Sequence, residues 1–191
     1  MVARRQGSGS IVLAPAIRTA YTQTIQSLSE LFLFALETHF DVRSMRMVVP
    51  TRQVRAALDT GPDAPIDKWL LVKGLRSAAP GGQPICWTHS YIHPRLAWLG
   101  PELRHCVGPF YAHLEQRSGE EITEASQEIS AELMTREVAD ALGHHPGDVA
   151  LRVLRRYLGA RETMIASFNW HPADSFSYRM HLKRADSARA L

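Results

Sequence analysis

Apolar residues recur every three or four positions across residues 20–40, at Tyr21, Ile25, Leu28, Phe32 and Leu36, which predicts a helix capped by Thr19 or Thr22. Within it Leu31-Phe32-Leu33-Phe34-Ala35-Leu36 is apolar on every side, so this half is expected to be buried in the body or against a second subunit. The period then changes. Compact apolar runs at residues 45–49, 69–78, 84–92, 149–158, 163–170 and 176–182 predict strands, and Ile122 and Ile129 among polar neighbours predict another over 120–132, with an irregularity near Ala125. Helices are predicted at 51–58 behind Thr51, at 108–119 up to Gly119, and at 135–142 up to Gly143, with a helical turn at 94–102. Pro80-Gly81-Gly82 supplies the positive φ that a hairpin turn needs. The sum is an α+β fold: a mostly antiparallel sheet of about six strands with helices on one side.

Part of this pattern occurs twice. Residues 51–58 read Thr-Arg-Gln-Val-Arg-Ala-Ala-Leu and residues 135–142 read Thr-Arg-Glu-Val-Ala-Asp-Ala-Leu, five of eight positions being identical at an offset of 84. Each copy leads through a Gly/Pro break into an apolar run, a polar turn, a second apolar run and a His-Pro pair, His93-Pro94 and His171-Pro172. A helix followed by a hairpin, used twice, predicts two similar halves with a cleft between them.

Composition narrows the class. The chain has 191 residues, 45% of them hydrophobic, enough for a core of its own. No stretch reaches the ~18 uninterrupted apolar residues of a membrane span, and the basic start is followed by Gly-Ser-Gly-Ser rather than by the apolar segment of a secretion signal. Cys86 and Cys106 cannot build a disulfide framework, which fits a cytoplasmic location and small buried thiols. Of the 22 basic residues against 19 acidic ones, Arg4, Arg5 and Arg18 fall in residues 1–18, a segment without an acid, so the rest is balanced. Phosphate contact is therefore expected at the N-terminal end.

These residues resemble a known family. The duplicated helix–hairpin unit, the segment from Gly119-Glu120-Glu121-Ile122 to Ala131, the run Gly147-Asp148-Val149-Ala150-Leu151-Arg152-Val153-Leu154-Arg155-Arg156 and the ending Pro172-Ala173-Asp174-Ser175-Phe176-Ser177-Tyr178 are similar to the UTRA domain. That is the effector-binding domain of the HutC subfamily of GntR-type bacterial transcription regulators, with a fold similar to chorismate lyase. The likeness covers roughly residues 40–184. Arg4-Arg5-Gln6-Gly7-Ser8-Gly9-Ser10-Ile11-Val12 resembles the wing of the GntR winged helix, so residues 1–18 are expected to be a wing remnant, 19–40 a linker and helix, 41–184 the effector domain and 185–191 a frayed tail. The resemblance implies DNA-backbone contact by Arg4, Arg5, Gln6, Gly7 and Gly9, and a homodimer. The helices that read bases would precede Met1, so DNA is expected as a partner only where those helices are present.

The same resemblance implies a small, often anionic effector held between the hairpins. Arg76 stands where the family places a ligand-facing arginine, and Gly74 where it often has a second. Alternation puts Thr88 and Ser90 on one strand face and His89 and Tyr91 on the other; one pair is expected to face the cleft, with a slight preference for the second, and alternation leaves both open. Arg156, Ser167, Asn169 and Tyr178 are further candidate lining residues, each with an equally good structural reading. Ile165 stands where a glutamate is frequent, which implies a more apolar pocket. The histidines lack the close pairing of zinc ligands, and neighbours such as His105 and Cys106 rarely face one another on a strand, so no metal, no cofactor and no catalytic residue is expected. The run Glu120, Glu121, Glu124, Glu128 and Glu132 reads as a solvated strand edge or face. Two rival readings stand: a chorismate lyase-like enzyme using Arg76 and Arg156, and a standalone UTRA modulator that acts without DNA binding.

Overall fold

In a computed structural model, residues 2–5, 8–12, 21–23, 30, 34–59, 67–160 and 162–180 are described. The centre is a six-stranded antiparallel sheet. Its strands are β4 (His39–Val48), β5 (Trp69–Ser77), β6 (Pro84–Ile92), β7 (Glu124–Leu133), β8 (Val149–Leu158) and β9 (Thr163–Pro172), in the spatial order β4-β5-β6-β9-β8-β7. Outside it, β1 (Val2–Arg5) and β2 (Ser8–Val12) form an antiparallel pair, and β3 (Tyr21–Gln23) runs parallel to β10 (Phe176–Tyr178).

The duplication is larger than the sequence suggests. Each half is a strand, a helix and a hairpin: β4, α1 (Arg52–Leu58), β5 and β6, then β7, α4 (Arg136–Leu142), β8 and β9. The halves meet at β6 and β9, which pair through Trp87↔Trp170 to Ile92↔Ile165. Each repeat helix starts on a threonine whose hydroxyl accepts a backbone N–H, from Val54 for Thr51 and from Val138 for Thr135.

The helices flank both sheet faces rather than one. Leu58 of α1 packs on Trp69, Leu71, Tyr91 and Phe168, and Val138, Ala139 and Leu142 of α4 pack on Trp87 and Ala150, all on one face. The segment Pro94–Leu99, α2 (Gly100–Leu103) and α3 (Phe110–Ser118) bury Leu96, Leu99, Leu103, Tyr111 and Leu114 on the other face, against Leu70, Val72, Ile92, Tyr157 and Ile165.

Some elements differ from the sequence expectation. The helix predicted over 20–40 survives only at Glu30 and 34–36 among its described residues. Tyr21–Gln23 is strand, because it pairs with β10, and His39–Phe40 already belongs to β4, because it pairs with Ser77 and Arg76. Leu36 is exposed and Ala35 buried, while Leu31, Phe32 and Leu33 lie outside the described residues. Strand β7 pairs with β8 without a register shift, so there is no irregularity at Ala125. Strand β10 ends at Tyr178. No helix among the described residues is long and apolar enough to cross a membrane.

Candidate functional site

Alternation on four adjacent strands builds the site. Along the face covered by α3, β5 contributes Arg76, β6 contributes Cys86, Thr88 and Ser90, β9 contributes Ser167, Asn169 and His171, and β8 contributes Arg155 and Tyr157. These side chains floor a cavity of about 60 Å³, roofed by Phe34, Phe40, Phe110 and Tyr111. Among the described residues no Asp or Glu lines it.

The floor is a cross-strand polar zipper. The Thr88 hydroxyl donates to Oδ1 of Asn169 at 2.9 Å, and the Ser90 and Ser167 hydroxyls share a bond of 2.9 Å. Asn169 Nδ2 donates to the Val153 carbonyl at 3.0 Å. Cys86 Sγ sits 3.5 Å from the Thr88 hydroxyl, and burial pushes its thiol up, away from the thiolate a nucleophile needs.

Two cations reach the cavity. Arg76 Nη1 donates to the Thr38 hydroxyl at 2.6 Å, and its guanidinium lies over the rings of Phe34 and Phe40, 5.4 and 5.1 Å from their centroids. Arg155 is 7% exposed, and its Nε and Nη2 both donate to the amide oxygen of Gln127. Among the described residues Arg155 has no carboxylate partner. Buried charges are ordinarily paired.

His171, 2% exposed, stacks on Phe176 with ring centroids 3.8 Å apart. Its Nδ1 is buried without a hydrogen-bond partner among the described residues. Burial, followed by the field of Arg155, lowers its pKa from 6.5 to about 3 against the pull of the Ile85 carbonyl, with Arg76 adding to the lowering, so the ring is neutral. On the roof, Tyr111 stacks on Tyr157 at 4.9 Å and is pushed up to about 12 by burial, then by Tyr157 and Glu115.

Of the residues singled out in the sequence, Arg76, Thr88, Ser90, Ser167 and Asn169 come together here. His89 and Tyr91, expected to face the cleft, lie on the opposite sheet face. Tyr91 is under α1 beside Phe168, and His89 stands between Trp87 and Trp170 beside Glu137 of α4. Trp87 Nε1 donates to His89 Nε2 at 2.9 Å, and burial, then Lys73, lowers that histidine to about 4 against the pull of Glu137. Arg156 also points away: its Nε donates to the Ala57 carbonyl at the end of α1, while its neighbour Arg155 takes the cavity side. Tyr178 lies on β10, outside the lining. Arg4 and Arg5 are on β1 and Gly9 on β2, while Gln6 and Gly7 lie outside the described residues. Sequence reasoning missed Arg155 and His171. Strand parity reaches both, since Arg155 pairs with Ser167, and His171 is two residues from Asn169 on the same face.

Gly74 has a spatial reason. A Cβ there would meet the Phe40 ring at 2.5 Å and the Asp41 carbonyl at 2.6 Å, so the place of a second arginine on β5 is taken by Phe40. Among the described residues no group of three or more His, Cys, Asp or Glu side chains is placed to hold a metal ion.

The architecture is thus a six-stranded antiparallel sheet with a cation-lined cavity over its two central strands. The sequence matches the UTRA domain family over residues 35–177, and the chain belongs to that family. Similar solved structures are the transcriptional regulator (GntR family) from Enterococcus faecalis V583 (23% identity, 76% of this chain and 100% of that one, TM-score 0.60) and the effector domain of PhnF from Mycobacterium smegmatis (11% identity, 86% and 100%, TM-score 0.67). A longer PhnF structure from Mycobacterium smegmatis matches at 14% identity over 96% of this chain and 79% of that one, with TM-score 0.63. No curated protein matches the sequence.

Proposed function

We propose that this chain is the effector-sensing part of a cytoplasmic GntR-type transcription regulator of the HutC subfamily. It binds a small anionic metabolite in the cavity over β6 and β9 and adjusts DNA binding through a homodimer. The observation that carries the reading is Arg155, a buried guanidinium with only an amide oxygen as partner among the described residues, lining a cavity without a carboxylate. An anion supplies the charge such a site lacks. Occupancy shifts the population of dimer arrangements by its differential affinity for them. The division into a wing remnant at 1–18, a linker at 19–40, an effector domain at 41–184 and a tail at 185–191 belongs to the same reading. The antiparallel pairing of Val2–Arg5 with Ser8–Val12, with Arg4 and Arg5 on one strand and Gly9 on the other, supports the wing, whose DNA contact depends on recognition helices upstream.

The test is thermal melting with inorganic phosphate, propionate and lactate against neutral glycerol. Stabilisation by an anion and not by glycerol, lost in Arg155→Gln, supports the reading; stabilisation that survives Arg155→Gln overturns it. Light scattering after gel filtration should give twice the 21.4 kDa chain mass. A lyase of the chorismate type would need an acid in the cavity, and Ile165 lines it at the position where the family resemblance leads one to expect a glutamate. Pyruvate release from chorismate above background would reinstate the enzyme.

A further inference from the structure

We propose that the ligand of this cavity is a short 2-oxo carboxylate held by two donors on one row of the sheet. Arg155 takes its carboxylate, and the spare proton of the Ser90–Ser167 hydroxyl pair goes to its oxo oxygen. The inference rests on the anion reading above and adds the group beside the anion. In register, Ser90 of β6 faces Ser167 of β9, Ser167 faces Arg155 of β8, and Arg155 faces Gln127 of β7. Residues directly opposite on adjacent strands have Cβ atoms ~4.5–5.5 Å apart, so the hydroxyl pair and the guanidinium border the same part of the cavity.

Most donors on the floor are already committed. Asn169 Nδ2 donates to the carbonyls of Val153 and Ser167, and Oδ1 takes the Thr88 proton. With that proton spent, the contact of 3.5 Å between Cys86 and Thr88 is one that the thiol donates. Two donors are left over. Arg155 commits Nε and Nη2 to Gln127 and keeps Nη1 without an acceptor among the described residues. Ser90 and Ser167 carry two hydroxyl protons and share one bond of 2.9 Å, so one O–H lacks an acceptor among the described residues, whichever serine donates to the other. The row thus sets a cationic donor beside a neutral one, and no Asp or Glu of the described lining accepts from either. With the carboxylate drawn to Arg155 and Arg76, an oxo oxygen on the adjacent carbon is the acceptor for the hydroxyl. An ammonium there would add a positive charge beside two guanidinium groups. The cavity of about 60 Å³ keeps the acid short, since a water-sized group needs roughly 10–15 Å³ by the same measure.

The test is a calorimetric titration of the full chain at pH 7 with pyruvate, isobutyrate and alanine. These acids of nearly equal size carry an acceptor, an apolar group and a donor beside the carboxylate. Pyruvate should bind about tenfold more tightly than isobutyrate, and alanine most weakly, the discrimination a site shows when an analogue leaves a buried polar group unpaired. The double variant Ser90→Ala, Ser167→Ala should bring the pyruvate-to-isobutyrate ratio near one with isobutyrate binding unchanged, whereas a merely structural role would weaken both acids alike. Each single variant should keep the ratio, because the remaining serine has a proton of its own. The ratio in the parent chain tests the proposal even where the double variant fails to fold. Isobutyrate binding as tightly as pyruvate overturns the oxo acceptor and leaves the anion reading standing. Loss of the ratio in one single variant overturns the shared hydroxyl pair. Alanine binding most tightly overturns the acceptor in favour of an ammonium. No binding by any of the three overturns both readings.

Discussion

Arg155 holds a charge where a charge is costly, and that cost separates its binding role from a structural one. A group kept only for stability destabilises the fold when removed, whereas an uncompensated buried cation relieves it. Arg155→Met is therefore expected to leave the ligand-free melting temperature within a few degrees of the parent or above it, while anion binding falls at least tenfold, checked by calorimetry and titration on one preparation. His171 and His89 make the opposite kind of prediction. Both have folded pKa values below the unfolded 6.5, at about 3 and about 4, so the unfolded chain binds more protons through that window. Stability is complete above pH 6.5 and falls as pH drops towards 3, by about 2 kcal/mol per histidine between pH 7 and 5. Urea unfolding at the two pH values measures the loss, and His171→Phe should remove its own share of the difference. Five of the nine candidate residues line one cavity, because alternation alone puts Thr88 with Ser90 and Ser167 with Asn169, and the family likeness marks Arg76. Alternation cannot say which face is inside. That depends on where α1, α3 and α4 pack, which is long-range, and so Tyr91 and His89 exchanged places with Thr88 and Ser90, and Arg156 with Arg155.

The two repeat helices solve one C-terminal problem with different residues. Both end in the left-handed region, at Gly143 with φ 70° in α4 and at Asp59 with φ 55° in α1. Glycine enters that region freely, whereas aspartate meets a steric cost there and sets a negative charge at the negative end of the helix dipole. Asp59→Gly should stabilise the protein by roughly 0.5–1 kcal/mol in denaturant unfolding, with no change in ligand binding. Gly74 in β5 predicts the reverse. Gly74→Ala drives a methyl into Phe40 and the Asp41 carbonyl and should cost about 1–3 kcal/mol, measured the same way. Elements with local signals are legible in the sequence: the threonine caps, the glycine stops and both hairpins. The predicted helix over 20–40 failed at both ends for a non-local reason, since Tyr21–Gln23 pairs with β10 and His39 with Ser77, residues far along the chain. Periodicity registers an amphipathic face and not the partner that claims it.

At the scale of the molecule, the cavity and the N-terminal part of the chain share one contact. Residues 34–40 lead from the N-terminal segment into β4 and roof the cavity through Phe34 and Phe40, and Arg76 grips them with a bond to Thr38 and a place over both rings. An anion that takes up Arg76 in the cavity competes with that grip, which gives ligand and segment a free-energy coupling without a long relay. The strands beneath do not depend on it, because β6 and β9 are hydrogen-bonded on both sides within the sheet. Arg76→Gln should therefore speed amide exchange across residues 34–40 severalfold while β6 and β9 exchange as before, read by mass spectrometry on the intact chain. If exchange rises across the whole sheet instead, Arg76 is part of the core's support. The segment would then be held by its own roof contacts, buried Ala35 and the Phe40–Phe110 ring pair, rather than by Arg76.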